Sequence, residues 1–275
     1  MLTRFAPAPT GWLHLGHVLN AEYVWNAARD RGGSVLLRIE DHDRERCRPE
    51  YERGILDDLD WLGYAPDVYP TDAFRAGGSD GRQSDRDAIY REALEQLQAR
   101  SLVYACDCTR RRIAVGSSSD GELRYPGTCR DRGLPIVEGT GWRVRLGSET
   151  ERFVDERLGV QEQNPQEQCG DVLVRDRRGN WTYQFCAAVD DFVQGIDLVV
   201  RGEDLLASTG RQIALARLLG RSRPPAFLHH PLILKASGQK LSKSDGDTAI
   251  RDLRRRGLMP AEVKALATAS RTKDQ

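Results

Sequence analysis

Long apolar runs are missing from this chain of 275 residues; none approaches the roughly 20 residues that a helical membrane span requires. No membrane association is expected. An excess of either charge is missing too, because 41 basic and 41 acidic side chains cancel to a formal net charge of +0. A nucleic-acid partner therefore leaves no mark on the overall charge and would have to use local patches. Arg110-Arg111-Arg112 and the run from Arg251 to Arg256 are candidates, although each alone fits a solvated helix face. A secretory leader is not expected either, since Met1-Leu2-Thr3-Arg4 runs directly into the first motif, and a cytoplasmic protein is the expectation. Six scattered cysteines do not suggest a disulfide framework. The length exceeds the usual single-domain size, so one large domain with an insertion, or two domains, is expected.

Residues 4 to 17, Arg4-Phe5-Ala6-Pro7-Ala8-Pro9-Thr10-Gly11-Trp12-Leu13-His14-Leu15-Gly16-His17, pass from a short apolar strand through a Pro/Gly-stiffened turn into a helix. Val18, Leu19, Tyr23, Val24, Ala27 and Ala28 continue at helical spacing as far as Gly32-Gly33, which puts His14 and His17 at or beside the first turn. Exposed backbone N–H groups and the positive end of the helix dipole favour phosphate there. Gly16 lets a nucleotide approach the backbone. ATP is placed at this turn, with His14, Gly16 and His17 around it. An isolated His-x-Gly-His equally suits capping or surface histidines. The phosphate reading gains from a second motif, Lys240-Leu241-Ser242-Lys243-Ser244, in a polar, Gly-flanked loop.

Val35-Leu36-Leu37-Arg38-Ile39-Glu40 follows the helix as a second apolar run, completing a βαβ unit whose right-handed crossover implies a parallel sheet. Glu40-Asp41-His42-Asp43 then falls at the carboxyl end of that strand, where open α/β sheets place their ligands. It reads either as a metal site or as a solvated strand end. Pro49 to Gly63 and about Ser84 to Arg100 read as helices, each with one apolar face, around a loop-like stretch from Tyr64 to Gly81.

Three cysteines gather where the strand-like Val103-Tyr104-Ala105-Cys106-Asp107-Cys108 leads into a polar segment ending at Tyr125-Pro126-Gly127-Thr128-Cys129-Arg130. Such a thiol group suggests zinc, completed by Tyr125, Asp107 or water, but the spacing fits ordinary reduced cysteines as well. Trp142 to Leu146, Phe153 to Asp155 and Gly159-Val160 alternate like strands of one small antiparallel patch, and Asp171 to Arg175 with Trp181 to Tyr183 reads as a hairpin. A helix from Gln184 to Phe192, a strand from Leu198 to Arg201 and a helix from about Ser208 to Leu219 return the chain to a parallel sheet. Arg201, at the end of its strand, suits bidentate pairing with a carboxylate, and Tyr183 could bond the same ligand. Pairing of Arg201 with its neighbours Glu203 and Asp204 is the competing reading.

Pro-x-Pro-Thr-Gly-x-x-His-Leu-Gly-His near the N-terminus and Lys-Leu-Ser-Lys-Ser near the C-terminus resemble the two signature motifs of class I aminoacyl-tRNA synthetases. Val-Arg-Gly-Glu-Asp-Leu-Leu with Thr209-Gly210-Arg211-Gln212 resembles the glutamyl-type subgroup. The Cys-x-Cys and Tyr-x-x-x-Cys-Arg segments resemble its short, zinc-bearing branch, the glutamyl-queuosine tRNA(Asp) synthetases.

The resemblance implies an α/β fold: a Rossmann-like parallel sheet whose first half is 1–103 and second half 171–246, an insertion at 104–170 with the zinc site and small antiparallel strands, and a helical tail at 247–275. It covers only the catalytic half of a full glutamyl enzyme, with no anticodon-binding domain. It implies that His14, His17, Lys240 and Lys243 act on ATP with Mg²⁺, and that Arg4, Ala6, Ala8, Glu40, Tyr183 and Arg201 line a site for L-glutamate. Within that site Glu40 faces the amino group and Arg201 reads the side-chain carboxylate. Cys106, Cys108, Tyr125 and Cys129 would hold one Zn²⁺. The implied acceptor is queuosine in the anticodon loop of tRNA(Asp), and a monomer is expected. Two departures stand out: Ala8 replaces the usual Ser, and Lys-Leu-Ser-Lys-Ser-Asp-Gly leans towards full glutamyl-tRNA synthetases, which keeps charging of tRNA(Glu) by a truncated or split enzyme as an alternative. A non-catalytic, synthetase-like tRNA-binding protein is a further one.

Overall fold

The computed structural model describes residues 1–114, 123–234 and 249–270. Its main sheet has six strands: β1 (Leu2–Phe5), β2 (Ser34–Leu37), β5 (Glu151–Asp155), β6 (Gly159–Gln163), β8 (Leu198–Gly202) and β9 (Ala226–His230). Their order is β2-β1-β8-β9-β5-β6, parallel throughout except for the β5–β6 pair. A second sheet, β3 (Val103–Cys106), β4 (Gly141–Val144) and β7 (Val172–Arg175), is antiparallel.

Helix α1 (Leu15–Asp30) buries Val18, Leu19, Ala21, Val24, Ala27 and Ala28 against β1 and β2, and Gly32 follows its end with φ +55°. Helix α2 (Pro49–Leu62) starts on Pro49, which has no N–H to lose, and stops at Gly63 in the left-handed region with φ 75°. A short α3 (Thr71–Arg75) and a 3₁₀ turn, Gln83–Arg86, lead into α4 (Asp87–Ala99). Helices α5 (Arg110–Ala114) and α6 (Pro165–Gln168) are single turns. Between β7 and β9 come α7 (Tyr183–Val193) and α8 (Thr209–Leu218), which pack against each other. The tail forms α9 (Ile250–Arg255) and α10 (Pro260–Ala269); Ile250, Leu253, Val263 and Ala267 join the same core as α1. Among the described residues no helix is long and apolar enough to cross a membrane.

Two strand assignments differ from the sequence expectation. Phe153 to Val160 was expected beside Trp142 to Leu146, but β5 pairs with β9 and puts Phe153 against Phe227, with ring centroids 5.1 Å apart. Glu151, Phe153 and Asp155 are buried while Arg152 and Val154 are exposed, so the alternation was real. Period-two alternation identifies a buried face and not the neighbouring strand. The expected hairpin after β7 shrinks to one bridge, Arg175 to Trp181, because the Thr182 carbonyl already accepts from Phe185 and Cys186 at the start of α7.

From β1 the chain moves outward to β2, and from β8 it moves the opposite way to β9. The carboxyl ends of β1 and β8 therefore flank a crevice at a topological switch point, the place where open α/β sheets bind ligands.

Candidate active site

His14 is the N-cap of α1, and its Nδ1 accepts the Gly16 N–H at 3.1 Å. The His14 N–H donates to His17 Nδ1, also at 3.1 Å. This reciprocal capping box holds the two rings 4.0 Å apart between centroids. Because each Nδ1 accepts a main-chain N–H, the proton of each neutral imidazole resides on Nε2. Gly16 has a reason of its own: a Cβ there would meet His14 Cε1 at 3.0 Å. Main-chain bonds thread the motif loop onto the next strand end, with Arg38 N–H donating to the Phe5 carbonyl at 2.9 Å, Glu40 N–H to Pro7 at 3.1 Å and Arg48 N–H to Pro9 at 3.0 Å. Glu40 is thereby set beside the half-buried Ala6 and Ala8.

Beneath this loop lies a buried ionic network. Arg4, in β1, donates from Nε to Asp191 Oδ1 at 3.0 Å and from Nη1 to the Val200 carbonyl at 3.1 Å. The fully buried Arg38 donates to Asp191 at 2.8 Å, to Glu40 at 3.3 Å and to Gln194 at 3.0 Å. Asp190 accepts from Gln83, Arg86 and the Tyr90 hydroxyl, each at 2.8 Å. Burial would raise Asp191, but the Arg4 and Arg38 charges outweigh it and hold the carboxyl down at about 2. Burial pushes Glu40 upward against the pull of Arg38 and Arg4. Asp41 and His42 serve the neighbouring turn instead of a metal: Asp41 accepts the Ser84 N–H at 2.8 Å and pairs with Arg44 at 3.0 Å, and His42 Nδ1 lies 2.6 Å from Gln83 Oε1.

Arg201, near the end of β8, is buried and donates from Nε to His229 Nε2 at 3.1 Å, from Nη1 to Gln212 Oε1 at 2.7 Å and from Nη2 to Thr209 Oγ1 at 2.8 Å. All three partners are neutral acceptors. The competing reading fails, since Glu203 pairs with Arg157 at 2.5 Å and, among the described residues, no carboxylate lies within ion-pair distance of Arg201. Burial lowers the guanidinium from its usual value, the Tyr183 hydroxyl opposes this, and the nearby Arg4 charge adds to it. Burial likewise raises Tyr183, with Glu40 adding to the effect. Tyr183 is thus within electrostatic reach of Glu40, Arg201 and Arg4, and Arg4 of Glu40 and Arg201.

The thiols of Cys106, Cys108 and Cys129 are buried with their sulfurs within 4.8 Å of one another. Cys108 and Cys129 are 3.6 Å apart and the Tyr125 hydroxyl is 3.5 Å from Cys106 Sγ. A tetrahedral zinc has S–S edges of about 3.8 Å and S–O edges of about 3.5 Å, so this donor set fits the ion. Asp107 Oδ1 lies 3.1 Å from Cys129 Sγ but is held by Arg132 at 3.0 Å. A cavity of about 920 Å³ runs from Cys106 and Cys108 to Tyr183, with Arg110, Arg143, Arg177 and Arg178 on its walls.

The profile of the family described as tRNA synthetases class I (E and Q), catalytic domain, matches residues 1–268. The chain belongs to that family. A Rhodobacter capsulatus protein named Glutamyl-Q tRNA(Asp) synthetase is 40% identical over 286 residues, spanning 97% of this chain and 99% of its own length. A Ralstonia nicotianae protein of the same name is 45% identical over 260 residues, spanning 90% and 78%. Among solved structures, a glutamate tRNA ligase from Elizabethkingia meningosepticum superimposes with TM-score 0.73 and 31% identity over 90% of this chain; the chain spans 52% of its length. Methionyl-tRNA synthetase from Mycobacterium tuberculosis, at 14% identity and TM-score 0.61, shares the fold.

Lys240 and Lys243 of this class I synthetase lie outside the described residues. The helix that follows them is nevertheless joined to the first motif: Ile250 N–H donates to the Leu13 carbonyl at 2.8 Å, His14 and Ala249 form a β-bridge, and the Arg251 guanidinium lies 4.0 Å over the Trp12 ring. Sequence reading missed Arg38, Asp190, Asp191, Thr209, Gln212, Asp155 and His229 as site residues. Two adjacent acids in the otherwise apolar Ala187-Ala188-Val189-Asp190-Asp191-Phe192 were a usable signal. The role of His229 was not readable, because its partners come from other strands.

Proposed function

We propose that this synthetase activates L-glutamate with ATP as glutamyl-adenylate and transfers the glutamyl group to queuosine at the wobble position of tRNA(Asp). The observation that carries the reading is Arg201, a buried cation held by neutral acceptors at the switch-point crevice and within reach of Tyr183, which in turn feels Glu40. A side-chain carboxylate would pair with it, and a neutral amide would leave the charge unpaired, which favours glutamate over glutamine. Glu40 takes the substrate ammonium, Arg4, Ala6, Ala8 and Tyr183 complete the pocket wall, and Ala8 offers no hydroxyl to the amino group.

In the first step an oxygen of the glutamate α-carboxylate attacks the α-phosphorus of ATP; the bond to the bridging oxygen breaks and pyrophosphate leaves. The Nε2–H groups of His14 and His17 stabilise charge growing on the phosphoryl oxygens, and Lys240 and Lys243 hold the β- and γ-phosphates. Mg²⁺, when bound, shares that charge. In the second step a queuosine hydroxyl attacks the activated carbonyl and AMP departs. The protein forms no covalent intermediate and contributes position and electrostatics. Zn²⁺ on Cys106, Cys108, Tyr125 and Cys129 would be structural, tying β3 to the segment that lines the large cavity. The names of the relatives over nearly full length favour the queuosine acceptor.

The test is transfer of labelled glutamate to tRNA(Asp) with queuosine, tRNA(Asp) without it, and tRNA(Glu). Label on the first alone is expected. Label on tRNA(Glu) would replace the proposal with 3′-end charging, and no label on any of them would support a non-catalytic protein.

A further inference from the structure

One residue from each of three adjacent parallel strands forms a line behind the crevice. Asp155 ends β5, His229 lies in β9, and Arg201 lies in β8 directly opposite His229 in the strand register. Both Asp155 oxygens are committed. Oδ1 accepts the N–H groups of Arg157 and Leu158, at 3.1 and 2.9 Å, and Oδ2 accepts the His229 main-chain N–H at 3.0 Å and lies 2.6 Å from His229 Nδ1. With both oxygens already accepting main-chain N–H groups, the short Oδ2–Nδ1 contact is a bond that the ring Nδ1–H donates. His229 Nε2 is then a lone-pair acceptor, and it meets the Arg201 Nε–H at 3.1 Å, with the Thr209 hydroxyl 3.2 Å away. A ring protonated at both nitrogens would present N–H to N–H at that contact. Burial and the Arg201 charge hold the imidazole down to about 4, against the pull of Asp155, so it is uncharged at neutral pH.

Any anchor for a buried guanidinium must accept a hydrogen bond. A carboxylate would do so and also neutralise the charge, which would cancel attraction for an anionic ligand. A neutral imidazole aims the fork without neutralising it. With Gln212 and Thr209 on the terminal nitrogens, a second N–H remains on each of them beyond these bonds, beside the Tyr183 hydroxyl.

We propose that His229, fixed in its Nδ1–H form by Asp155, is the positioning and specificity residue of Arg201: an uncharged acceptor that aims the guanidinium and leaves its positive charge for the substrate's side chain. The inference rests on the glutamate reading of the site. It assigns to a wholly buried histidine, which touches neither ATP nor glutamate, part of the discrimination between glutamate and glutamine.

Two substitutions separate its two nitrogens. In His229→Asn the amide reaches about as far as Nδ1 and can still bond Asp155, but it offers nothing at the Nε2 position. In His229→Gln the Oε1 reaches the Nε2 position and restores an acceptor for Arg201. In glutamate-dependent pyrophosphate exchange, His229→Asn is expected to raise the KM for glutamate about tenfold or more and to shrink the preference over glutamine, with the KM for ATP and kcat changed less than about threefold. His229→Gln is expected to stay within about threefold of the parent on every count. A wild-type glutamate KM in His229→Asn, equal damage in both variants, or a parallel rise in the ATP KM would overturn the proposal. Should either variant fail to fold, nitrogen NMR of the histidine rings in the unaltered protein decides: a His229 protonated on Nδ1 alone at pH 7 supports the proposal, and a proton on Nε2 refutes it. Absence of glutamate-dependent exchange in the unaltered protein would instead count against the proposed function, an outcome the NMR result does not share.

Discussion

Arg4 Nε donates to Asp191 Oδ1 at 3.0 Å across 187 positions of sequence, joining the first strand to the helix that precedes β8. The same oxygen accepts from Arg38 at 2.8 Å, so one carboxylate serves two buried guanidinium groups. Asp191→Asn keeps the shape and removes the charge, leaving both arginines undercompensated. We expect a loss of roughly 3–5 kcal/mol, read from the urea midpoint. The pH dependence has a definite sign. A carboxyl held at about 2 in the folded protein, below its ordinary value, contributes stability that is complete above about pH 4 and is lost as pH falls through about 2. The gap between parent and variant should therefore narrow only in that acid window.

His14 both caps α1 and lies at the proposed phosphate site, and the two roles can be separated. Asparagine is a good N-cap but has no imidazole. His14→Asn is expected to keep the melting temperature within a few degrees, while glutamate-dependent pyrophosphate exchange falls by about a hundredfold. A fall in stability with unchanged exchange would make His14 a cap only.

Arg201→Gln should remove the charge that selects the substrate side chain. Exchange with glutamate is expected to drop by a factor of about 10²–10³, with a much smaller change for glutamine, measured as the ratio of the two kcat/KM values.

The thiol cluster should carry one zinc ion per chain after purification without chelator, measured by elemental analysis. Cys108→Ser is expected to lose it. Tyr125→Phe should weaken retention more than Asp107→Asn, because Tyr125 sits at ligand distance from Cys106 while Asp107 is engaged by Arg132.

Asp58 is a structural cost. It is 4% exposed, its Oδ2 has no hydrogen-bond partner, and burial pushes its carboxyl up to about 7, only partly offset by Arg254. A raised carboxyl destabilises the fold as pH climbs from the unfolded value near 4 through about 7. Asp58→Asn should stabilise the protein at pH 8 by roughly 1–3 kcal/mol and by little at pH 4, seen as a melting-temperature gain that disappears on acidification.

By itself the sequence determined the local elements and the chemistry they carry. The Pro/Gly turn into a helix placed His14 and His17, the apolar runs gave β2 and β8, and the Cys-x-Cys spacing marked the thiol cluster, because each signal is contained in a dozen or so neighbouring residues. It also made Arg201 a candidate while leaving its partner open. Only the tertiary structure decided that the partner is not Glu203 or Asp204, that β5 and β6 extend the main sheet, and that Arg4, Arg38, Asp190 and Asp191 form one buried network. Those outcomes depend on which elements the folded chain brings together from distant positions, Asp155 of β5 against Phe227 of β9 and Arg4 of β1 against Asp191 of α7, 187 positions away. Periodicity tells which face of an element is buried, whereas the charge left uncompensated at Arg201 follows from what the assembled sheet brings up against it.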